Sequence, residues 1–448
     1  MIAVDLEGAT ERVRVARAYR AQGVVVRAIG LAVESEGPPC AIGEECLVLD
    51  ADGNLLSRAQ IVGFHDRRVF SMPLDRLHGI AVGSRVVALG RRPTIGVGEQ
   101  LMGRVLDADA RPLDGRPLAP ADTFYDVEVP APAALARERI REPFVTGVRS
   151  IDAMLTLGRG QRVGIFAGSG VGKSTLLGMI ARHAKADVAV IALVGERGRE
   201  VRDFLEEELT DEGLAHSVVF VATSDEPPMR RIRAAHAATA AAEWFRNRGR
   251  HVVLLMDSIT RVAMAQREVG LSLGEPPSTK GYPPAVFSML PRLLERAGSL
   301  RDGGSITGLY TVYVEGDDLN DPVADAARSL LDGHIVLSRE MADSGLYPAV
   351  DVLGSVSRLM PNVASADHLS DARSLRARMA AFREAEDLVM LGAYREGTDA
   401  NVDAALRARD VTRSFLAQER ADGSTLDDTS AMLRAVIAAG HAEAGSIR

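Results

Sequence analysis

The sequence predicts an α/β protein with a phosphate-loop (P-loop) central domain, a small N-terminal β-barrel and a C-terminal helical domain. Three observations support this fold class. Short apolar segments separated by glycine turns fill residues 23–89, apolar strands alternate with helical runs from 146 to 375, and strand signals fade beyond 376. Closely spaced short strands indicate an antiparallel barrel, and an alternating βα pattern indicates an open, doubly wound sheet. The predicted domains are therefore 1–92, 93–375 and 376–448.

The barrel is predicted from four segments of high strand propensity, at 23–26, 46–49, 60–64 and 84–89. Residues 90–145 follow and are rich in Pro, Gly and Asp. Such a composition is typical of turns, so we expect this stretch to be a linking passage over a surface.

Residues 167–175 contain the most informative motif, Ala-Gly-Ser-Gly-Val-Gly-Lys-Ser-Thr, between an apolar strand and the helical run 173–183. Glycines allow several backbone N–H groups to converge on one anion, and the start of a helix adds a positive dipole end. Lys173 supplies a cation and Ser174 a hydroxyl for Mg²⁺. The predicted nucleotide-binding residues are Gly168, Ser169, Gly170, Val171, Gly172, Lys173, Ser174 and Thr175.

Two carboxylates follow predicted strands of the same sheet. The apolar run 252–256 ends in Asp257, a position from which an acid holds Mg²⁺ through water. Glu196 comes two residues after the run 189–194, where a parallel sheet binds its ligands. From these residues alone, Glu196 either orients a water toward the γ-phosphate or belongs to a solvated, charge-mixed turn.

Composition and charge argue against several classes of protein. A net charge of −8 and an aromatic content of 4% disfavour a single-stranded nucleic-acid binder, which needs a basic groove with stacking rings. No apolar run reaches the roughly eighteen residues of a membrane span, and the N-terminus lacks a signal-peptide pattern. Cys40 and Cys46 match no zinc or redox spacing, so we expect a cytosolic protein with reduced thiols.

Segments 164–175, 195–201 and 257–261 resemble the catalytic subunits of rotary ATPases, most of all the flagellar and virulence type III secretion ATPases. The resemblance is dense from 103 to 358 and implies a RecA/F1-like central domain. Segment 280–287, Lys-Gly-Tyr-Pro-Pro-Ala-Val-Phe, is more similar to the flagellar branch. Further matching segments are 274–277, 294–298, 347–351 and 355–358.

The resemblance implies roles for the carboxylates and the phosphate loop. Lys173 and Ser174 would hold phosphate and Mg²⁺, with Asp257 and Glu200 reaching the metal through waters. Glu196 would be the catalytic carboxylate.

It also implies roles for three arginines and two aromatic residues. Arg197 and Arg261 would lie near the γ-phosphate, and Arg358 would be an arginine finger that enters the site of a neighbouring subunit. Tyr347 would stack on adenine, and Phe415 would close that pocket. One departure is Ala110, in a predicted surface turn where the family often carries glycine.

The same resemblance implies a homohexameric ring that powers flagellar protein export from the cytoplasmic face of the inner-membrane export apparatus. Its implied partners are a stator-like regulator at residues 1–20, a central shaft-like protein at 271–284, the export gate and chaperone–substrate complexes. No nucleic-acid partner is expected.

Alternatives from neighbouring classes are a virulence secretion ATPase, a rotary ATP synthase catalytic subunit and a non-catalytic structural subunit. A Rho-like RNA helicase would need aromatic residues on the barrel, where residues 1–90 offer Tyr19, Phe64 and Phe70.

Overall fold

The computed structural model describes residues 21–314 and 321–441. The chain divides into two compact units. One is built from residues up to Pro93 together with the short segments Pro227–Met229 and Val269–Glu275, and the other from the remainder. The predicted regulator-binding tail, 1–20, lies outside the described residues.

The first unit is a closed barrel of six antiparallel strands in the order β1-β2-β5-β4-β3-β6. Pairing of Val24 with Arg85 joins the first strand to the last and closes the ring. Inward-facing apolar side chains alternate along the strands and form the barrel core, among them Val33, Val48 and Ile61. The barrel prediction is confirmed, although the strands β2 and β5 were missed. The strands are β1 Gln22–Ile29, β2 Ala32–Glu36, β3 Glu45–Leu49, β4 Leu55–His65, β5 Arg68–Pro73 and β6 Arg85–Ala88.

The second unit contains a nine-stranded sheet in the order β19-β18-β12-β17-β15-β13-β14-β8, with β16 paired to β17. All of these strands run parallel except β16 and β19. The strands of this unit are β7 Thr94–Val97, β8 Arg104–Leu106, β9 Thr123–Asp126, β10 Pro143–Phe144, β11 Leu157–Gly158, β12 Arg162–Ala167, β13 Val188–Val194, β14 Ser217–Ala222, β15 His251–Asp257, β16 Gly298–Ser299, β17 Ser305–Tyr313, β18 Gly333–Leu337 and β19 Val350–Ser357.

The central strands are buried along their whole length, as expected of parallel strands covered on both faces. This burial explains why unbroken apolar runs located them in the sequence. The expectation that 90–145 is a linking passage of turns over a surface is wrong in part, because β8 pairs with β14 at the edge of the central sheet and β7 pairs with β9. These strands are short and were hidden among turn-forming residues.

A tight turn follows β8. Both Asp109 and Arg111 donate main-chain N–H bonds of 2.9 Å to Asp107 Oδ1. Between them Ala110 has φ +59°, in the left-handed region. Contrary to the prediction of a surface turn, Ala110 is 6% exposed.

Helices follow most strands of the central sheet and make up the C-terminal domain, as predicted. The 25-residue helix α11 crosses the predicted domain boundary at 375, since it begins at Ala366. None of the helices in the described ranges combines the length and apolar character needed to cross a membrane. The helices are α1 Arg149–Met154, α2 Lys173–His183, α3 Gly198–Asp203, α4 Thr210–Ala215, α5 Pro228–Arg246, α6 Ile259–Ser272, α7 Pro284–Leu294, α8 Pro322–Leu330, α9 Arg339–Asp343, α10 Met360–Val363, α11 Ala366–Met390, α12 Ala400–Arg407, α13 Arg409–Leu416 and α14 Leu426–His441. Short 3₁₀ turns lie at Glu99–Leu101, Ala134–Ala136 and Thr279–Gly281, and a π-helical turn at Phe204–Leu209 joins α3 to α4.

Candidate functional site

The phosphate loop connects the end of β12, Ala167, to the start of α2, Lys173. Gly170 and Gly172 have φ of +77° and +86°, a conformation that glycine adopts without the Cβ clash other residues incur. A Cβ on Gly172 would also approach the ring of Tyr347 to 3.4 Å. The loop therefore has the curled backbone and the helix N-terminus that together favour a bound phosphate.

The predicted carboxylates converge on the loop lysine. Glu196 comes two residues after the end of β13, and Asp257 is the last residue of the neighbouring strand β15. Leu193 of β13 pairs with Asp257. Lys173 Nζ lies 2.6 Å from Asp257 Oδ1 and 3.3 Å from Glu196 Oε1. Asp257 is the most buried of the three, with 4% of its side chain exposed. One lysine thus offsets the charge of two carboxylates at the carboxyl edge of the sheet.

Burial and neighbouring charges shift the proton affinities of this cluster. Burial, and then the negative charge of Asp257, raise the pKa of Glu196 to about 6, against the opposing effect of Lys173. Burial alone would lower the pKa of Lys173, but Asp257 and Glu196 raise it, so the ammonium form is stabilised. A carboxylate whose pKa is raised in this way is a suitable proton acceptor near neutral pH.

Glu200 lies in the first turn of α3, next to this cluster. It accepts from the main-chain N–H of Arg197 at 3.2 Å and from Arg197 Nη1 at 3.3 Å. Burial raises its pKa, but the hydrogen bond with Glu196 and those from Arg197 outweigh this effect and the pKa is lowered. Glu200 is therefore the carboxylate of this pair that keeps its charge at lower pH.

Arg261 lies in the same cleft, on the first turn of α6. Its guanidinium carbon is 5.9 Å from the ring centroid of Tyr313, a cation–π distance. Its main-chain N–H donates to Ser258 Oγ at 3.3 Å. The side chain is thus oriented by the sheet edge.

A cleft of about 750 Å³ contains most of the predicted residues. The predicted residues that line it are Gly168, Ser169, Gly170, Gly172, Lys173, Ser174, Thr175, Glu196, Arg197, Glu200, Asp257 and Arg261. Val171 is instead buried in the hydrophobic core. Lining residues that sequence reasoning missed include Phe204, Ser258 and Tyr313.

Thr311 is a further missed residue. Its hydroxyl donates to Asp257 Oδ1 at 2.6 Å from the adjacent strand β17. The signal in the sequence was a threonine near the end of β17, the strand beside the one that ends in Asp257.

The donor set suits Mg²⁺. Ser174, Asp257 and Glu200 offer a hydroxyl and carboxylate oxygens, the hard ligands that this ion prefers. Within 21–314 and 321–441 no group of three or more acidic, His or Cys side chains forms a metal cage of its own. Such an open set matches the usual binding of Mg²⁺ by one or two carboxylates together with substrate phosphates.

The two predicted adenine contacts occupy different environments. Tyr347 is 44% exposed and lies against the loop at Gly172. Phe415 is 2% exposed and belongs to the hydrophobic core, so the structure does not bring it to the cleft. Gln418, three residues after Phe415, donates its main-chain N–H to the carbonyl oxygen of Tyr347 at 2.9 Å.

Arg358 lies far from the phosphate loop of its own chain. Its main-chain N–H donates to the carbonyl oxygen of Asp332. The main-chain N–H of Asp332 in turn donates to the carbonyl oxygen of Arg162, the first residue of β12. The loop starts at the other end of β12. The two end residues of this six-residue strand are five residue steps apart, roughly 16 Å. The Arg358 side chain donates to the carbonyl oxygen of Arg328 at 3.3 Å.

Comparison with known proteins identifies the family of the chain. Residues 147–357 match the nucleotide-binding domain of the ATP synthase alpha/beta family, 25–90 its beta-barrel domain, and 364–435 the T3SS EscN ATPase C-terminal domain. The "Flagellum-specific ATP synthase" of Bacillus subtilis is 49% identical over 416 residues, 93% of this chain and 95% of the relative. The chain belongs to the ATP synthase alpha/beta family.

Within the ATP synthase alpha/beta family, the similar proteins include both secretion branches. The "Type 3 secretion system ATPase" of Xanthomonas euvesicatoria is 46% identical over 436 residues, 97% of this chain and 98% of the relative. A solved structure of assembled EscN with its central stalk EscO, from enteropathogenic E. coli, is 41% identical with a TM-score of 0.85, covering 93% of this chain and 100% of that one. The predicted resemblance is confirmed, and the chain is an ATP-hydrolysing enzyme of the flagellar and type III secretion type.

Proposed function

We propose that the chain is a Mg²⁺-dependent ATPase that works as a homohexameric ring and energises protein export by the flagellar type III apparatus. The observation that carries the proposal is the meeting of Lys173, Glu196 and Asp257 at the phosphate loop. The flagellum-specific relative and the match of segment 280–287 favour the flagellar branch. A virulence secretion ATPase remains the second candidate, because the Xanthomonas relative is nearly as similar.

In the proposed reaction the γ-phosphate replaces the two carboxylates as the partner of Lys173. The ammonium group of Lys173, 2.6 Å from Asp257 in the structure, turns to the phosphate oxygens. Release from Lys173 leaves Glu196 as a freer base, and it orients the attacking water. When bound by Ser174, Asp257 and Glu200, Mg²⁺ supplies charge neutralisation at the phosphates.

Two arginines of the same chain act on the charge that develops on the phosphoryl oxygens. Arg261 lies within the cleft, and Arg197 lies at its rim, where it is exposed and paired with Glu200. Positive groups already placed where charge develops stabilise the transition state. The exposure of Arg197 leaves it free to exchange Glu200 for the nucleotide.

Arg358 completes the site of a neighbouring subunit. Its position at the opposite end of β12 is supported by the hydrogen bonds to Asp332 and from Asp332 to Arg162. A side chain this distant from its own phosphate loop contributes to hydrolysis only across an interface. Arginine fingers of this kind increase turnover by about 10³–10⁵-fold.

The adenine would stack on Tyr347, whose exposed ring borders the loop. Phe415 would close the pocket only by leaving the core in which it is buried, so its part in binding depends on a movement of α13.

One of the partners proposed for the ring is supported by a solved structure of a similar protein. EscN has been solved with a central stalk, which supports a shaft-like partner at 271–284. Leu271, in the last turn of α6 at the start of this segment, is 40% exposed. We further propose a stator-like regulator at residues 1–20, recruitment to the inner-membrane export gate, and delivery of chaperone–substrate complexes.

The test is Mg²⁺-dependent ATP hydrolysis per chain, measured over a range of protein concentrations alongside light-scattering mass. We expect specific activity to rise with the hexamer fraction and to vanish with EDTA. Activity that stays constant while the chain is monomeric would contradict the shared site. A parallel assay with added RNA tests the helicase alternative, for which stimulation would be required.

A further inference from the structure

We propose that Thr311 is a positioning residue for the reaction, because its hydroxyl fixes the Asp257 carboxylate so that the second carboxylate oxygen faces the metal–nucleotide. The inference rests on the proposed Mg²⁺-dependent hydrolysis and extends it by one residue outside the phosphate loop and the acidic cluster.

The geometry assigns the hydroxyl proton to Asp257. Thr311 is fully buried in β17, one residue beyond Tyr310, which pairs with Met256 in the parallel register. Thr311 Oγ1 is 2.6 Å from Asp257 Oδ1 and 3.3 Å from the carbonyl oxygen of Met256. A hydroxyl has one proton to donate, and the shorter contact to a charged acceptor is the stronger bond.

The same oxygen, Asp257 Oδ1, also receives the ammonium group of Lys173 at 2.6 Å. These two donors hold one oxygen of the carboxylate, which leaves Oδ2 for another ligand. The two donors differ in how easily they leave Asp257. Lys173 follows the phosphate loop and has a second partner, Glu196. Thr311 is held in place by the sheet.

When phosphate draws Lys173 away, Thr311 is the donor that stays. A buried carboxylate that has lost a donor rotates to recover a hydrogen bond. That rotation would misdirect Oδ2. Partners of this kind around metal-binding carboxylates are commonly worth 10–100-fold in metal affinity.

The experiment compares T311V, which keeps the shape and removes the donor, with T311S, which keeps the hydroxyl. Binding of a fluorescent ATP analogue to the full chain is titrated with Mg²⁺ and, separately, in EDTA. We expect T311V to need about tenfold more Mg²⁺ for half-maximal binding, with metal-free binding unchanged, and T311S to behave like the wild type.

Thr307 provides the matched control, since it is buried in the same strand and its hydroxyl accepts from the Gly160 N–H at 2.9 Å, away from Asp257. T307V should change the thermal midpoint without changing the Mg²⁺ requirement. If T311V does not fold, T311A against T311S makes the same comparison.

If the wild type depends on Mg²⁺ and T311V, or T311A, has the same Mg²⁺ requirement, the role of Thr311 is overturned while the proposed function stands. A wild-type chain that neither hydrolyses ATP nor responds to Mg²⁺ would overturn the proposed function, and the inference with it.

Discussion

The main-chain N–H of Arg358 donates to the carbonyl oxygen of Asp332, beside the first residue of β12. Lys173 follows the last residue of the same strand. Arg358 and Lys173 of one chain therefore lie at opposite ends of the strands of the central sheet. If they act together in hydrolysis, they do so as residues of two different subunits.

Mixing two inactive variants tests this arrangement. R358A retains Glu196, and E196Q retains Arg358, so a mixed ring contains sites with both groups intact. We expect each variant alone to lose at least about 10²-fold in turnover. In an equal, random mixture, about a quarter of the interfaces are intact, and ATPase activity should recover toward that fraction.

R358K is the matched control in the same mixture, since it keeps the charge and loses the planar guanidinium fork. If arginine geometry matters, R358K stays slow alone and is rescued by E196Q in the same way. A mixture no more active than the sum of its parts would show that Arg358 works within its own chain or not at all.

E196Q should be inactive and yet more stable than the wild type. Burial and the charge of Asp257 raise the pKa of Glu196 to about 6, so its ionised form destabilises the folded chain at pH 7. An amide of the same shape removes that cost, and we expect the free energy of unfolding to increase by about 1 kcal/mol. Urea unfolding of E196Q measures this increase.

E200Q is the control for the stability effect, because the pKa of Glu200 is shifted downward and its ionised form is stabilised in the fold. Its unfolding midpoint should move in the opposite direction to that of E196Q, or not at all. Destabilisation by E196Q would mean that its contact with Lys173 outweighs the burial of its charge.

The pH dependence of kcat/KM should report the ionisation of Glu196. Only the carboxylate can accept the proton of the attacking water, so kcat/KM is expected to fall about tenfold per pH unit below pH 6. The effect on stability has the opposite sign: with a raised folded-state pKa, the contribution of Glu196 is fully present below about 4.5 and is lost as the pH rises through about 6.

Steady-state rates at saturating Mg²⁺ between pH 5 and 8, with circular dichroism to verify folding, provide the measurement. A flat profile across pH 6 would assign proton acceptance to another group.

A110G should stabilise the second unit. Ala110 has φ +59°, where a Cβ costs about 1–2 kcal/mol relative to glycine. The greater freedom of glycine in the unfolded chain and the loss of a buried methyl group offset part of this gain, leaving about 0.5 kcal/mol. The thermal unfolding midpoint of A110G, compared with that of A108G, measures this gain. Ala108 is buried in the same turn region without a positive φ, so A108G should lower the stability of the fold.

The sequence was most informative where one physical demand selects one residue type. A phosphate loop requires glycines before Lys173, and central parallel strands require continuous apolar runs such as 188–194, so both were found. The antiparallel edge strand β19 and the short strand β8 carry no such demand, and the pairing of β8 depends on β14, which is distant in sequence.

The contacts around the site were harder to predict than the site itself. The bond from Thr311 to Asp257 depends on the register between β15 and β17, which the sequence does not display. The burial of Phe415 likewise depends on how α13 packs, and the pattern around it gave no sign of a core position. Motif residues are set by local chemistry, whereas their supporting partners are set by tertiary packing.

The order of strands in the two units also bears on synthesis at the ribosome. The barrel closes when β6 pairs with β1, so it is complete once Ala88 has emerged. The strand that carries the phosphate loop, β12, waits for both neighbours, β17 from Ser305 and β18 from Gly333. N-terminal domains generally fold first during translation. A nascent chain can thus have a finished barrel while the strand that carries its nucleotide loop still lacks both of its neighbours.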